Sequence, residues 1–155
     1  HKRVAFVSGS QKDEPINSVY RMNGYKKALS DAGVSFDESL IFETDYTFSA
    51  GEEIFSKLAE ASATAAFVGD DELAVGILNG ALDSNLRIPE DFEIITANNS
   101  KLTEMVRPKL STITQPLYDI GAVSMRLLTK LMNKEEVDEK TIILPHHIAN
   151  RGTSK

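Results

Sequence analysis

The 155-residue sequence contains no cysteine, which excludes a disulfide framework and a cysteine nucleophile. No apolar stretch approaches the length of a membrane span or of the hydrophobic core of a signal peptide. The formal net charge is −6 and no block of basic residues occurs, so we expect no nucleic-acid-binding surface in this chain. A cytoplasmic protein fits these absences, and any contact with DNA is expected to lie outside this chain.

Signatures of catalysis, metal binding and nucleotide binding are also missing. The sequence has no His-Glu-x-x-His motif, no Gly-x-Ser-x-Gly elbow, no P-loop and no glycine fingerprint for dinucleotides. His146 and His147 are adjacent, so on a strand they would point to opposite sides and would be poor ligands for one metal. The acidic residues 70–72 are more typical of a helix start than of a cation site. We therefore expect neither an enzyme nor a cofactor.

One stretch in the middle of the chain predicts a strand, a covering helix and a second strand parallel to the first. Residues 64–68 and 92–97 are apolar runs of strand length, and the residues between them repeat apolar side chains at the spacing of one helix face. We expect Gly76 and Gly80 to let this helix lie close to the sheet. Asn85 can end the helix in a left-handed conformation.

Polar residues follow both of these strands. A right-handed crossover places the two strand ends at the same edge of the sheet, where open α/β sheets bind ligands. Asp70, Asp71, Asn98 and Asn99 are therefore candidate ligand residues. Arg21, in the first turns of an earlier helix, can point into the same crevice, where its planar guanidinium suits a carboxylate, a phosphate or sugar hydroxyls. The alternatives are a helix cap, a chain turn and an exposed surface arginine.

The first part of the chain continues this alternation of strand and helix. Residues 4–7 and 40–43 predict two further strands, and a helix follows each of them. Asn17 is a candidate cap for the first helix, and Ser49 with Glu52 forms a candidate capping box for the second. The pattern predicts an α/β fold with a doubly wound parallel sheet in one domain.

The pattern changes after these elements. Residues 101–107 predict a short helical piece, and residues 111–114 predict another strand. Residues 117–132 form a strongly amphipathic helix. Residues 141–144 predict a final strand.

Three ordered stretches resemble signatures of the LacI/GalR family of bacterial repressors. They are FVGDDELAVG at 67–76, RIPEDFEII at 87–95 and LSTITQP at 110–116. Two more, MVRP at 105–108 and YDIGAVSMRLLTK at 118–130, are closer still to the catabolite control branch of that family. The resemblance extends from the first residue to the last ones.

The resemblance implies a periplasmic-binding-protein-like type I fold, in which two α/β subdomains close around an effector. Residues 1–107 would form the C-terminal effector-binding subdomain. Residues 108–140 would cross to an absent N-terminal subdomain, so the helix at 117–132 would lack its packing partner in this chain. Residues 141–155 would return as a strand and tail. The chain would thus be a segment of a longer, homodimeric regulator that contacts its DNA operator through the missing N-terminal domain and does not contact a membrane.

The resemblance also assigns roles to individual residues. It implies effector binding by Arg21, Asp70 and Asn98. The family commonly has an aspartate preceded by an aromatic residue where this chain has Asn98 preceded by Ala97. The contact that a carboxylate usually makes with a small effector is therefore weakened in this chain. This departure favours the catabolite control branch, whose main corepressor is the serine-phosphorylated phosphocarrier protein HPr, with sugar phosphates as adjuncts.

Four residues on the predicted helix 117–132 would receive that phosphoprotein. They are Tyr118, Asp119, Arg126 and Lys130. Arg126 and Lys130 lie four residues apart and would project side by side, which suits a phosphoserine. The alternative for this pair is a solvated basic face. For the whole chain, the alternatives to a regulator are a periplasmic sugar-binding protein of a transporter and an enzyme such as a sugar-phosphate isomerase.

Overall fold

The computed structural model describes residues 1–9, 15–139 and 141–155, with only the backbone for residues 15–18. Its sheet has six strands in the spatial order β2-β1-β3-β4-β5-β6. The strands are β1 Val4–Ser8, β2 Ile41–Glu43, β3 Ala65–Val68, β4 Glu93–Ala97, β5 Ser111–Thr114 and β6 His147–Ala149. The first five pair in parallel, and β6 pairs antiparallel with β5 at one edge.

Helices follow the strands in the predicted alternation. They are α1 Pro15–Asp31, α2 Phe48–Glu60, α3 Asp71–Asp83, α4 Leu102–Met105 and α5 Leu117–Met132, with a 3-10 turn at Glu38–Leu40. The fourth helix is shorter than the predicted piece 101–107. No helix in the described part of the chain has both the length and the apolar character needed to span a bilayer.

The two faces of the sheet are covered by different helices. On one face Tyr25 of α1 packs against Phe6, and its hydroxyl donates to Val4 O at 2.7 Å. On the other face the alternate residues Ala5 and Val7 belong to the core that α2 and α3 close. Because side chains alternate along a strand, successive residues of β1 serve opposite faces. The predicted doubly wound α/β fold is confirmed, with one antiparallel edge strand.

Glycines set the distance between α2 and α3. A Cβ atom on Gly76 would lie 2.8 Å from Gly51 Cα and would collide with Phe48 O. A Cβ atom on Gly80 would lie 2.8 Å from Phe55 Cβ, also in α2. The expectation that Gly76 and Gly80 bring their helix close to the sheet is therefore wrong, since the neighbour they approach is the adjacent helix.

The helix ends follow local rules, with two changes from the sequence predictions. Asn85 adopts φ +60° after α3, as expected for a residue that ends a helix. Helix α2 is capped by Thr47, which accepts from Ala50 N at 3.2 Å. The predicted capping box of Ser49 and Glu52 is wrong because the helix already begins at Phe48.

The start of α1 also differs from the prediction. The helix begins at Pro15, two residues before the predicted cap Asn17. A proline is favoured in the first turn because its missing N–H has no partner there in any case. The side chain of Asn17 lies outside the described residues.

The last strand lies later in the chain than the sequence predicts. Residues 141–144 are not in the sheet, and β6 pairs Ala149 with Thr112 instead. Beyond β6, Thr153 Oγ1 donates to Ile94 O at 2.7 Å and accepts from Ser111 N at 2.8 Å. These buried polar contacts anchor the end of the chain to β4 and β5, so they fix the register at residues 147–149.

Helix α5 buries none of its residues. Of its apolar stripe, Ile120 is 38 % and Leu131 is 53 % exposed. A groove of about 370 Å³ separates the stripe from Ile142 and Leu144. The helix therefore has the exposed apolar face that the sequence leads us to expect.

A salt bridge closes the turn after α3. Arg87 Nη2 lies 2.6 Å from Asp91 Oδ1, and the backbone N–H of Arg87 donates to Asp91 Oδ2 at 2.9 Å. The side-chain hydrogen bond from Arg87 is the main cause that lowers the pKa of Asp91 from 3.8 to about 2. Because the folded-state pKa is lowered, the stabilisation is present above about pH 4 and is lost as the pH falls towards 2.

We therefore expect Asp91→Asn to lower the melting temperature at pH 7. The difference from wild type should shrink between about pH 4 and pH 2, since the wild-type carboxyl group becomes protonated there. Thermal unfolding followed by circular dichroism across this range checks the prediction. A difference that does not change with pH would show that the salt bridge is not its cause.

Candidate functional site

A cavity of about 360 Å³ lies at the carboxyl ends of the parallel strands. It is the place where the sequence predicts a ligand. The structure brings Arg21, Asp70 and Asn98 together around it. Its other lining residues are Tyr20, Tyr46, Gly69 and Gln115.

Arg21 contributes the positive charge of the cavity. It is partly buried, and its Nη1 donates to Gly69 O at 3.0 Å. A Cβ atom on Gly69 would lie 3.2 Å from this Nη1 and 3.1 Å from the Tyr46 hydroxyl. The glycine therefore lets the guanidinium and the phenol approach the end of β3. The alternative of an exposed surface arginine does not apply.

The ring of Tyr46 forms another part of the wall. A Cβ atom on Gly9, just after β1, would lie 2.7 Å from Cε2 of this ring. A side chain at residue 9 would thus displace the tyrosine. Tyr46 lies in the loop between β2 and α2, and its ring faces the cavity.

Asp70 has two roles. Its Oδ1 accepts from Glu72 N at 2.8 Å and from Leu73 N at 3.4 Å, so it caps α3. The same residue lines the cavity. The cap and the candidate ligand contact are therefore compatible, because a carboxylate has two oxygens and about four acceptor positions.

The neighbouring candidates Asp71 and Asn99 do not line the cavity. Asp71 is 2 % exposed and accepts from the Thr96 hydroxyl at 3.0 Å and from Ser100 N at 2.6 Å. Asn99 Oδ1 accepts from Arg151 Nη2 at 2.7 Å. Both residues hold the loop after β4 in place, so the expectation that they face a ligand is wrong.

Asn98 is held by a residue that the sequence analysis missed. Gln115 Nε2 donates to Asn98 Oδ1 at 3.3 Å. Asn98 has φ +88°, a left-handed conformation that asparagine tolerates better than most residues. Gln115 comes directly after β5, so the rule that pointed to the ends of β3 and β4 would have identified it.

The residues predicted to receive a phosphoprotein lie on α5, away from this cavity. Tyr118 is 87 % exposed, and Asp119, Arg126 and Lys130 are also exposed. At about 100° per residue, the last three fall within roughly 40° of one another around the helix. Arg126 and Lys130 also line a hollow of about 510 Å³ whose other residues include Glu136, Asp138 and Glu139.

The described residues contain no group of three or more histidine, aspartate or glutamate side chains arranged to hold a metal ion. The lining of the cavity is instead rich in hydrogen-bonding groups. It offers a guanidinium, a carboxylate, two phenols and two amides to a polar ligand.

Comparison with known proteins identifies the family. The model of the periplasmic binding protein-like domain matches residues 1–154. The chain is 48 % identical over 155 residues to catabolite control protein A of Streptococcus mutans, covering 100 % of this chain and 46 % of that protein. It superposes with a TM-score of 0.92 on the transcription regulator CcpA of Lactococcus lactis, which is 45 % identical in sequence. That match covers 99 % of this chain and 56 % of the other.

A LacI family transcriptional regulator from Enterococcus faecium, solved with bound ribose, is 32 % identical with a TM-score of 0.83. That match covers 99 % of this chain and 57 % of the other. The chain spans about half the length of the curated relatives it matches. These relatives are transcriptional regulators rather than enzymes. The chain therefore belongs to the periplasmic binding protein-like domain family, in the form carried by transcriptional regulators of the LacI/GalR family.

Proposed function

We propose that this chain is the effector- and corepressor-binding part of a cytoplasmic bacterial regulator of carbon catabolite repression. The observation that carries the proposal is the cavity that joins Arg21, Asp70 and Asn98 at the carboxyl ends of the strands. The alternative of a periplasmic sugar-binding protein is not favoured, because the relatives are transcriptional regulators.

The cavity suits a sugar phosphate. Arg21 supplies a charged, planar donor for phosphate oxygens, and Asp70 supplies an acceptor for sugar hydroxyls. The rings of Tyr20 and Tyr46 offer apolar surface to a sugar ring. The Enterococcus faecium relative binds ribose, a ligand of related chemistry.

We also propose the division of the chain that the sequence implies. Residues 1–107 are the C-terminal subdomain, residues 108–140 cross to an N-terminal subdomain, and residues 141–155 return. The exposed apolar stripe of α5 supports this arrangement, because it lacks a partner among the described residues. Contact with operator DNA then belongs to the part of the regulator outside this chain.

The face of α5 formed by Tyr118, Asp119, Arg126 and Lys130 is proposed to bind serine-phosphorylated HPr. A phosphoserine carries about −1.5 to −2 charges, and an arginine can meet it with a bidentate, charge-assisted bond. The exposure of these residues and the alignment of Asp119, Arg126 and Lys130 on one side of the helix support this role.

Arg126→Ala is expected to weaken binding of phosphorylated HPr by about 1.5–3 kcal/mol, the scale of hydrogen bonds to charged groups. Lys130→Ala should cost less and should depend more on salt, because an ammonium is a single point charge. Titration calorimetry on the full-length dimer with both forms of HPr measures these differences.

Lys57→Ala provides the matched control. Lys57 is an exposed cation in the last turn of α2, so its loss changes the net charge by the same amount without touching α5. It should leave the affinity for phosphorylated HPr unchanged. Equal losses for phosphorylated and unphosphorylated HPr, or no loss from Arg126→Ala, would remove the phosphate-anchor role.

Homodimerisation through the C-terminal subdomain is proposed as well. Outside α5, exposed apolar side chains occur on the neighbouring helices α3 and α4: Leu82 is 38 %, Leu102 is 36 % and Met105 is 72 % exposed. Sedimentation of the full-length protein should give a dimer at micromolar concentration, and Met105→Glu should weaken it. A wild-type protein that sediments only as a monomer would contradict the proposal.

The effector role is tested by titrating the full-length protein with glucose 6-phosphate. Saturable binding with one site per chain is expected. A protein that binds phosphorylated HPr but no sugar phosphate would limit the function to the phosphoprotein.

A further inference from the structure

The chain reverses direction directly after α5. Lys134 has φ +57°, the left-handed conformation in which helices commonly end. Its N–H donates to Leu131 O at 3.1 Å, and the N–H of Glu135 donates to Lys130 O at 3.0 Å. These two bonds form a Schellman motif, which ends the helix and turns the chain back. Because the turn is made by local backbone bonds, the chain itself places the residues that follow beside α5.

An acidic segment, residues 135–139, follows this turn. Val137 is half-buried, and the carboxylates on either side of it are exposed. The segment faces α5 across the hollow of about 510 Å³ that Arg126 and Lys130 line. Three of its carboxylates line the same hollow, and they belong to Glu136, Asp138 and Glu139. The two cations proposed to receive a phosphoserine thus lie opposite three anions of the same chain.

The carboxylates act on the hollow without occupying the cations. In the part of the chain that the structure describes, none of the salt bridges joins Arg126 or Lys130 to the acidic segment. The hollow is about as wide as the screening length in physiological salt, about 8 Å, so the carboxylates oppose an anion that enters it. Because its anions outnumber its cations, the hollow does not attract acidic surfaces at long range.

We propose that the acidic segment is autoinhibitory: it lowers the affinity of α5 for a phosphoserine, so that binding depends on close contact with Arg126. This inference rests on the proposed function, because it requires α5 to receive the phosphoserine of HPr. A phosphate can make that contact through a bidentate, charge-assisted bond. The segment acts without a conformational change, since its charges already line the hollow.

The test neutralises the three carboxylates together, with Glu136→Gln, Asp138→Asn and Glu139→Gln in one variant of the full-length dimer. These changes keep the size of exposed side chains, so the fold should be retained. Titration calorimetry at low salt should show that phosphorylated HPr binds about three- to tenfold more tightly, the scale of several exposed charges acting on a phosphate. The gain should fall below about twofold near 1 M salt, where screening is strong. Unphosphorylated HPr should gain less.

Three acids of α2 provide the matched control. Glu52→Gln, Glu53→Gln and Glu60→Gln in one variant change the net charge by the same amount, at exposed residues away from α5. The affinity for phosphorylated HPr should stay within about twofold of wild type.

A combination with Arg126→Ala shows whether the carboxylates act on a phosphate held in the hollow. Without this arginine, neutralising the acidic segment should raise the affinity by less than about twofold, because the two changes are coupled. A gain that persists in full would overturn the inference.

Two further results would also overturn the autoinhibitory role while the phosphate-anchor role of Arg126 stands. One is a neutralised variant that gains no more affinity than the α2 control, and the other is an equal gain for phosphorylated and unphosphorylated HPr. If wild-type protein binds both forms of HPr equally, the proposed phosphoprotein role fails together with this inference.

Discussion

Gly76→Ala is expected to destabilise the fold by roughly 3 kcal/mol, at the upper end of the cost of overpacking a core. A methyl group at this position would meet Gly51 Cα at 2.8 Å and would collide with the backbone oxygen of Phe48. Backbone atoms cannot rotate away as a side chain can, so α2 and α3 must separate. These two helices close the core on their face of the sheet.

The loss should appear as a fall of about 6–12 °C in melting temperature for a domain of this size. Gly121→Ala is the control, because a Cβ atom on Gly121 in the exposed helix α5 meets nothing within 4 Å. There the substitution should stabilise the helix by up to about 1 kcal/mol. If both variants shift the melting temperature in the same direction, contact between the helix backbones is not what requires glycine at residue 76.

Arg21→Ala is expected to weaken binding of glucose 6-phosphate by about ten- to a hundredfold, because it removes the positive charge that the described cavity wall provides. Arg21→Lys should recover only part of the affinity, since an ammonium keeps the charge but lacks the planar pair of donors. Titration calorimetry on the full-length protein measures both changes.

Lys27→Ala controls for the loss of a cation from the same helix. Lys27 is exposed and pairs with Asp31 at 2.5 Å, outside the cavity lining. Its removal should leave ligand affinity unchanged. An Arg21→Ala variant that folds normally and binds as tightly as wild type would exclude the arginine from the effector site.

The central part of the fold could be predicted from the sequence because its signals are local. The runs at 64–68 and 92–97 are apolar and of strand length, they flank an amphipathic helix, and each is followed by polar residues at the ligand edge. The general rule for open α/β sheets then located the cavity. Asp70 could not be distinguished from Asp71, since both fit a helix start and only the tertiary contacts bury one of them.

The end of the chain was mispredicted because its signals are not local. The residues Ile142 and Ile143 have the composition of a strand, yet they are 43 % and 90 % exposed. The strand forms later, where Arg151 and Thr153 bond to groups 40 or more residues away in the sequence. Such polar anchors have no periodicity that a sequence reading can detect. The same applies to Gly76, whose close neighbour in α2 is set by how two helices cross.

A crystal structure of the full-length protein with glucose 6-phosphate tests the central claim most directly. The ligand should occupy the cavity between Asp70 and Asn98, with a phosphate oxygen within hydrogen-bonding distance of Arg21. Ligand bound at another place, with only water between Arg21, Asp70 and Asn98, would contradict the assignment of this cavity as the effector site.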